Sequence, residues 1–383
     1  MVKGIFFSGK IKAWILNLKG IASRCYAYKG PDLVQLDCTD KCDSGCLACW
    51  THSPLIKNNQ RGDFQDLDPA VLKDFIREIK KSGTREICFS GGGEPFLHPN
   101  IWEILDFTQE LGLPFCINTN FTLLDKEGIN KLLGYSKLTS LTVSIWGHEA
   151  GLYSQLHGRT VQCFDNVKAG LTLLNRLKPA RLNVVICSVI SNLNYFALPG
   201  LKSLAGATGC NGIEFTLVDV MPGSTEALLL NAGQLKRLKE DFLELLKKTS
   251  TLNNGVKVVN QDLFLKRILS PGACSGEYDS GVSQKPCYSG WVFLRLRANG
   301  DLNSCRKSHR IPIGNIYKDN FLSIWNNKSQ QEFRKKCLSL PRDKEFFKLI
   351  GNGDSQDIGC KRVCDNLLIN EHARQMAKCL ARF

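Results

Sequence analysis

Between about residues 33 and 218, short apolar, β-branched runs alternate with longer stretches that place an apolar side chain every three to four positions. LVQLD at 33–37, EICFS at 86–90, PFCIN at 114–118, LTVSIW at 141–146, LNVVICSVI at 182–190 and IEFTLV at 213–218 predict six strands. The helical spacing falls in PAVLKDFIREIKK, NIWEILDFTQELG, KEGINKLLGY, FDNVKAGLTLLNRL and YFALPGLKSLAGATG, several of which close on a glycine. Strict alternation of strand and helix predicts a parallel sheet, and strands this continuously apolar require it to be covered or closed. Periodicity leaves an incomplete barrel and a doubly wound sheet both open, and either places function at the carboxyl ends of the strands. A further helix at 232–249 follows the sixth strand, a Gly, Ser and Asn-rich passage runs to about 286, and a cysteine-bearing segment starts at 287. The division expected is an extension at 1–32, a barrel at 33–250, a linker at 251–286 and a small cysteine-rich domain at 287–383.

Composition narrows the chemistry. The chain has 383 residues, 50 Lys plus Arg against 36 Asp plus Glu, and a net charge of +14, which favours anionic partners without choosing one. The lysines are dispersed over helices such as KRLKEDFLELLKK, a solvated face rather than a phosphate track, so nucleic acid is not expected as a partner. Seventeen cysteines are too few for a disulfide scaffold, and their odd number cannot be fully paired. Lys10, Lys12 and Lys19 break the amino-terminal apolar run, so it is no secretory signal, and no window is long enough to span a membrane. The expected compartment is the reducing cytoplasm, where clustered cysteines mean metal or redox chemistry. KIKAWILNLKGIA is expected to pack across the barrel, the alternative being a membrane-surface helix.

After the first strand, LDCTDKCDSGCLACW sets Cys42, Cys46 and Cys49 in a CxxxCxxC spacing on one tight loop. Three thiolates leave one position of an iron-sulfur cluster uncovered, whereas structural zinc wants four closed ligands; a zinc knuckle completed by Cys38 or His52 is the competing reading. After the second strand, SGGGEPFLHPN removes side chains at Gly92 and Gly93 and then presents Glu94, a carboxylate able to hold an ammonium group. Near the carboxy terminus, Cys287 and Cys305 flank RANGD, a hairpin-like turn with Gly300 suited to a positive φ, and CKRVC supplies Cys360 and Cys364. One distant pair and one near pair can close a metal site completely. Cys274, Cys337 and Cys379 leave room for a second site, and a zinc ribbon is the structural alternative. Cys88, Cys116 and Cys187 are expected to be small core residues, and His148 and His157, after the fourth strand, surface residues, the alternative being an approach to the substrate.

The cysteine loop, with Gly92-Gly93-Glu94 some 45 residues beyond Cys49, resembles the radical S-adenosylmethionine (radical SAM) superfamily over about residues 33–218. The resemblance implies a partial (βα)6 barrel and a site-differentiated 4Fe-4S cluster on Cys42, Cys46 and Cys49. It also implies S-adenosylmethionine (SAM) chelated to the unique iron, with Gly92, Gly93 and Glu94 at its methionyl amine. An electron then cleaves the sulfonium to a 5′-deoxyadenosyl radical that abstracts hydrogen from substrate. Asn120, Ser144 and Asn192, at the ends of the third, fourth and fifth strands, stand where the family contacts the cofactor. The family commonly has an aromatic residue before the last cysteine; here Ala48 stands there, with Trp50 beyond it. The carboxy-terminal pattern is similar to SPASM and twitch extensions, implying at least one auxiliary 4Fe-4S cluster on Cys287, Cys305, Cys360 and Cys364. Members of this architecture act on peptides, aminocyclitols and sugars and draw electrons from a flavodoxin or ferredoxin. Residues 1–32 are too few for a separate leader-peptide-binding domain, which weakens the peptide option. The alternatives are a non-catalytic iron-sulfur electron carrier and a tRNA-modifying radical SAM enzyme.

Overall fold

The computed structural model describes residues 11–56, 64–251, 256–351 and 359–380. Strands form where the apolar runs fall: β1 (Leu33–Asp37), β2 (Glu86–Ser90), β3 (Phe115–Thr119), β4 (Leu138–Ser144), β5 (Asn183–Ile190) and β6 (Gly212–Leu217). They pair in chain order, each parallel to the next. A doubly wound sheet reverses its order at a switch point. These six never do, so they trace the arc of a barrel, and the ambiguity left by periodicity is resolved in favour of the partial α/β barrel.

Strand pairing extends beyond those six. β7 (Lys257–Val258) adds parallel to β6, and β8 (Phe293–Leu296) adds parallel to β1. Beyond β8, β9 (Asp301–Asn303) and β10 (Gly314–Asn315) run antiparallel, completing a ten-stranded sheet. The expected hairpin turn joins β8 to β9, with the Arg297 N–H donating to the Asp301 carbonyl at 2.9 Å and Gly300 at φ +85°. The carboxy-terminal segment is thereby hydrogen-bonded to the first barrel strand. The passage before it carries β7 and a helix at Gln261–Ile268.

The strands alternate more sharply than their composition suggests. Val34, Leu36, Ile87, Phe89, Ile117 and Leu141 are sealed in one core with Leu72, Phe75 and Ile76 of the helix Pro69–Lys81. The intervening positions, among them Gln35, Ser90, Asn118, Thr142 and Ser144, line the interior cavity instead. Local chemistry starts the helix: Pro69 needs no amide partner in the first turn, and the Asp68 carboxylate accepts the N–H groups of Ala70 and Val71. Several helices escaped the periodicity, among them Ala150–His157, which ends at Gly158 in the left-handed region. The amino-terminal helix Ile11–Ala22 packs on the body, with Trp14 buried against His372 and the Asn17 amide donating to Asp32 at 2.8 Å. No described helix is long and apolar enough to cross a membrane.

Candidate metal centres and active-site cavity

The loop after β1 is folded by groups other than its thiols. Asn120 donates from Nδ2 to Asp43 at 2.6 Å and to Ser44 at 3.1 Å, Thr122 donates to Asp43 at 2.6 Å, and Arg159 pairs with the same carboxylate at 3.2 Å. Cys42, Cys46 and Cys49 are left half-buried and close enough to feel one another's charge. Burial pushes Cys42 up to about 12 and Cys46 well above the usual thiol range, and the neighbouring thiols push both further. Burial raises Cys49 too, while the N–H groups of Thr51 and His52 donate to its sulfur at 3.4 and 3.2 Å. Three thiolates in this setting are stable only around a cationic core, which is the donor chemistry of an iron-sulfur cluster. The zinc alternative fares worse. Among the described residues no three His, Cys, Asp or Glu side chains converge as ligands of a single metal ion would. His52 turns its Nε2 to the Gly92 carbonyl at 3.0 Å, and Cys38 is sealed in the core.

Glu94 lies beside this trio and is 3% exposed. Its carboxylate accepts from the Thr119 hydroxyl at 2.7 Å, the Asn120 N–H at 2.6 Å and the Phe96 N–H at 3.3 Å, all neutral donors. Burial pushes Glu94 up to about 7, against the pull of those hydrogen bonds. A carboxylate so placed is oriented for a cation that the protein does not itself supply.

The glycines before Glu94 are needed for a reason that spacing alone did not reveal. A Cβ on Gly93 would stand 2.0 Å from the Lys41 carbonyl oxygen and 2.7 Å from the Asp40 carbonyl carbon. The tight approach is made by the cysteine loop's own backbone, and the Glu94 N–H donates to that same Lys41 carbonyl at 2.8 Å. Gly93→Ala is therefore expected to cost about 1–3 kcal/mol and to displace the loop. A lower melting temperature together with less iron per chain would register it.

Between the loop and the barrel lies a cavity of about 640 Å³. Ser144 lines it, as do Cys187, Glu214 and Thr216; Cys187 is thus a cavity residue and not core filling. Asn120 also borders the cavity but spends its amide on the cysteine loop. Asn192 does not border it: its Nδ2 donates to the Ala227 carbonyl at 2.7 Å, holding the turn after β6. The closing segment furnishes Arg295, which pairs with Asp37 at 2.5 Å, and Arg306, which donates to Gln35 at 2.8 Å.

The carboxy-terminal cysteines also assemble. Cys287, Cys305 and Cys360 pack on one small core, and Cys364 feels the charge of all three. Burial pushes Cys305 up to about 12 and Cys360 up to about 11, each raised further by its cysteine neighbours. Cys287 instead falls to about 6, chiefly because the buried Cys337 thiol donates a hydrogen bond to it. Cys337 thus stands as a partner of Cys287. Cys274 is exposed, and the side chain of Cys379 lies outside the described residues. The Cys364 N–H donates at 2.8 Å to Asp279, itself paired with the buried Arg267 at 2.8 Å.

Several residues make contacts that the sequence did not assign to them. Trp50 donates its indole N–H to the Asp219 carbonyl at 3.0 Å, and Lys307 lies over its ring at 5.0 Å while ion-pairing with Asp219. The Lys307 N–H reaches the Cys305 sulfur at 3.5 Å, so one short chain of contacts joins the two cysteine sites. Arg159 was missed, and His157 was read as a surface residue. The only local hint was the polar HGR triplet at 157–159 shortly after a strand end. His157, expected at the surface, is fully buried; His148 remains partly exposed, paired with Glu149 at 3.2 Å.

A partial parallel barrel whose mouth gathers three thiols, a buried carboxylate and a large polar cavity has the architecture of a metal-cofactor barrel protein. Residues 36–195 match the radical SAM superfamily, and residues 287–346 match the SPASM iron-sulfur cluster-binding domain. The chain thus carries a radical SAM domain followed by a SPASM iron-sulfur domain. An AdoMet-dependent heme synthase of Methanosarcina barkeri is 25% identical over 324 residues, 80% of this chain and 87% of the relative. Mycofactocin maturase MftC of Mycobacterium tuberculosis is 24% identical over 336 residues, 86% and 78% of the two chains. Among solved structures, Streptococcus suis SuiB bound to its precursor peptide SuiA matches with a TM-score of 0.64 at 14% identity, over 91% of this chain and 79% of SuiB. The protein anSMEcpe with bound AdoMet matches with a TM-score of 0.61 at 14% identity, over 92% and 96%. At such identity these structures speak for the fold. The two matched domains imply a 4Fe-4S cluster with SAM and at least one auxiliary cluster.

Proposed function

We propose that Cys42, Cys46 and Cys49 hold the SAM-binding cluster, that Glu94 holds the cofactor's amine, and that the cavity presents a polar substrate for hydrogen abstraction. When bound, these groups supply reductive cleavage of the sulfonium and the 5′-deoxyadenosyl radical that takes the hydrogen. The observation that carries the reading is Glu94, a buried carboxylate held only by neutral donors, beside three thiols and at the wall of a cavity. Thr119 and the Asn120 N–H fix its two oxygens, so an ammonium group meets an oriented acceptor at little further entropic cost. Gly92 and Gly93 keep the cysteine loop against Glu94, and Ser144 borders the cofactor's sugar. Asn192 serves the site through the turn it holds after β6.

Cys287, Cys305, Cys360 and Cys364 then carry the auxiliary cluster. When bound there, that cluster would supply an acceptor for the second electron of a net oxidation. The electron that starts each turnover comes from a flavodoxin or ferredoxin. The lining of Ser, Thr, Asn, Glu and Arg suits the hydroxyl, amine or carboxylate groups of a peptide side chain or of a sugar or aminocyclitol. Anaerobically reconstituted protein, given dithionite and SAM, is expected to form 5′-deoxyadenosine, read by mass spectrometry. Fully loaded, reduced protein that forms none would instead be a non-catalytic electron carrier.

A further inference from the structure

The helix Ala150–His157 ends against the cysteine loop. Its last two carbonyls, those of Leu156 and His157, accept the N–H groups of Leu47 at 2.9 Å and Gly45 at 3.1 Å. Gly158 turns left-handed there at φ +62°, and a Cβ on it would stand 2.9 Å from the Gly45 carbonyl oxygen. The His157 ring is held between Tyr153, stacked with centroids 4.4 Å apart, and Trp146 at 4.8 Å. Its two nitrogens have different neighbours. The backbone N–H of Trp146 points at Nε2 from 3.0 Å, and the Cys46 sulfur lies 3.2 Å from Nδ1.

A backbone N–H can only donate, so Nε2 must be the bare nitrogen of the ring. A ring whose Nε2 accepts holds no proton there, so the imidazole is the neutral form. A neutral imidazole with a bare Nε2 carries its proton on Nδ1, aimed at the Cys46 sulfur. The rings on either side and the locked helix end leave that N–H no other direction.

We propose that His157 is a redox-positioning residue, donating its Nδ1–H to the Cys46 thiolate and raising the reduction potential of the cluster at Cys42, Cys46 and Cys49. The proposal rests on the ligand assignment given above. Adding an electron to a cluster increases the negative charge on its sulfurs, so a fixed N–H dipole stabilises the reduced state more than the oxidised one. Buried from water, the donor acts with little dielectric screening. The Trp146 N–H sets the tautomer, and through it the fourth barrel strand's exit helps set how readily the cluster accepts an electron.

The test is a redox titration of the holoenzyme, following the electron paramagnetic resonance signal that changes when SAM is added. Wild type is compared with His157→Leu, His157→Gln and His157→Asn. Asn places its amide nitrogen at the position of Nδ1 and keeps the donor, Gln reaches only the Nε2 position, and Leu removes both. The Leu and Gln variants are expected to reduce about tenfold less favourably, a downward shift of about 59 mV for one electron, with Asn within about threefold of wild type. Equal midpoints in all four proteins would overturn the proposal. Should the substitutions prevent loading, wild-type protein labelled with nitrogen-15 at the histidine ring δ position decides. A hyperfine coupling to the reduced, SAM-responsive cluster is expected, and its absence overturns the proposal. Cys46→Ala separates the layers: a SAM-responsive signal that survives it refutes the ligand assignment. If the signal is lost in Cys46→Ala while the His157 variants titrate as wild type, the hydrogen bond alone is refuted.

Discussion

Replacing Cys42, Cys46 and Cys49 together with Ala is expected to remove about four irons per chain and to abolish 5′-deoxyadenosine formation, leaving the iron at the carboxy-terminal cysteines in place. The loop should keep its fold. Asn120, Thr122 and Arg159 hold it through Asp43 and Ser44, and backbone bonds tie Gly45 and Leu47 to the neighbouring helix. None of these contacts uses a thiol. The auxiliary set is independently supported, since Asp279 holds the Cys364 N–H and Gly290 lies against the helix bearing Cys337. Iron and sulfide analysis of the triple variant beside wild type measures the loss. Loss of all iron would mean that the second set is no separate site, and unchanged iron would remove the basis for the proposed chemistry.

Glu94→Gln should leave the fold intact and cripple cofactor binding. The amide is the same size, yet the negative charge is gone, and one of the two donors, Thr119 at Oε1 or the Asn120 N–H at Oε2, now meets an NH₂ group. A hydrogen bond to a charged group contributes about 1.5–3 kcal/mol, so SAM is expected to bind about 10- to 100-fold more weakly. The pH dependence gives an internal check. Burial raises Glu94 from 4.5 to about 7, so below that pH the carboxyl is protonated and a poor partner for an ammonium group. Affinity for SAM in the wild type is therefore expected to rise with pH towards about 7 and level off above it, and to be flat in Glu94→Gln. The linkage to stability has the opposite sign. A folded carboxyl that holds its proton more tightly than the unfolded one loses stability as pH rises from 4.5 through about 7, so the cofactor-free wild type should weaken over that window while the variant does not. Calorimetric titration with SAM and thermal melts across the same buffers read both effects.

Local chemistry made much of this protein legible before any coordinates. Cys42, Cys46, Cys49 and Glu94 sit in short contiguous runs, where spacing alone puts donor atoms on one loop. The six barrel strands announce themselves because their outward residues must be apolar to seal against helices, and Gly300 announces a hairpin because that turn needs a positive φ. The glycines at 92 and 93 were read as letting backbone approach a ligand; in the structure the cysteine loop itself takes that room, with the Asp40 carboxylate at Gly92 and the Lys41 carbonyl at Gly93.

Other features depend on partners that periodicity cannot name. β8 is four residues long, and its pairing with β1 joins positions some 260 residues apart, so no local pattern could report it. That pairing carries Arg295 and Arg306 into the barrel and sets Cys305 and Lys307 near Trp50. His157 shows the same limit at a single residue. Its neighbours in the sequence fit a surface helix end, and only the packing of that helix beneath the cysteine loop gives its two nitrogens an amide on one side and a sulfur on the other. A sequence lists the groups able to donate, accept or bind metal; which of them meet is settled when the strands choose their order and the interior excludes water.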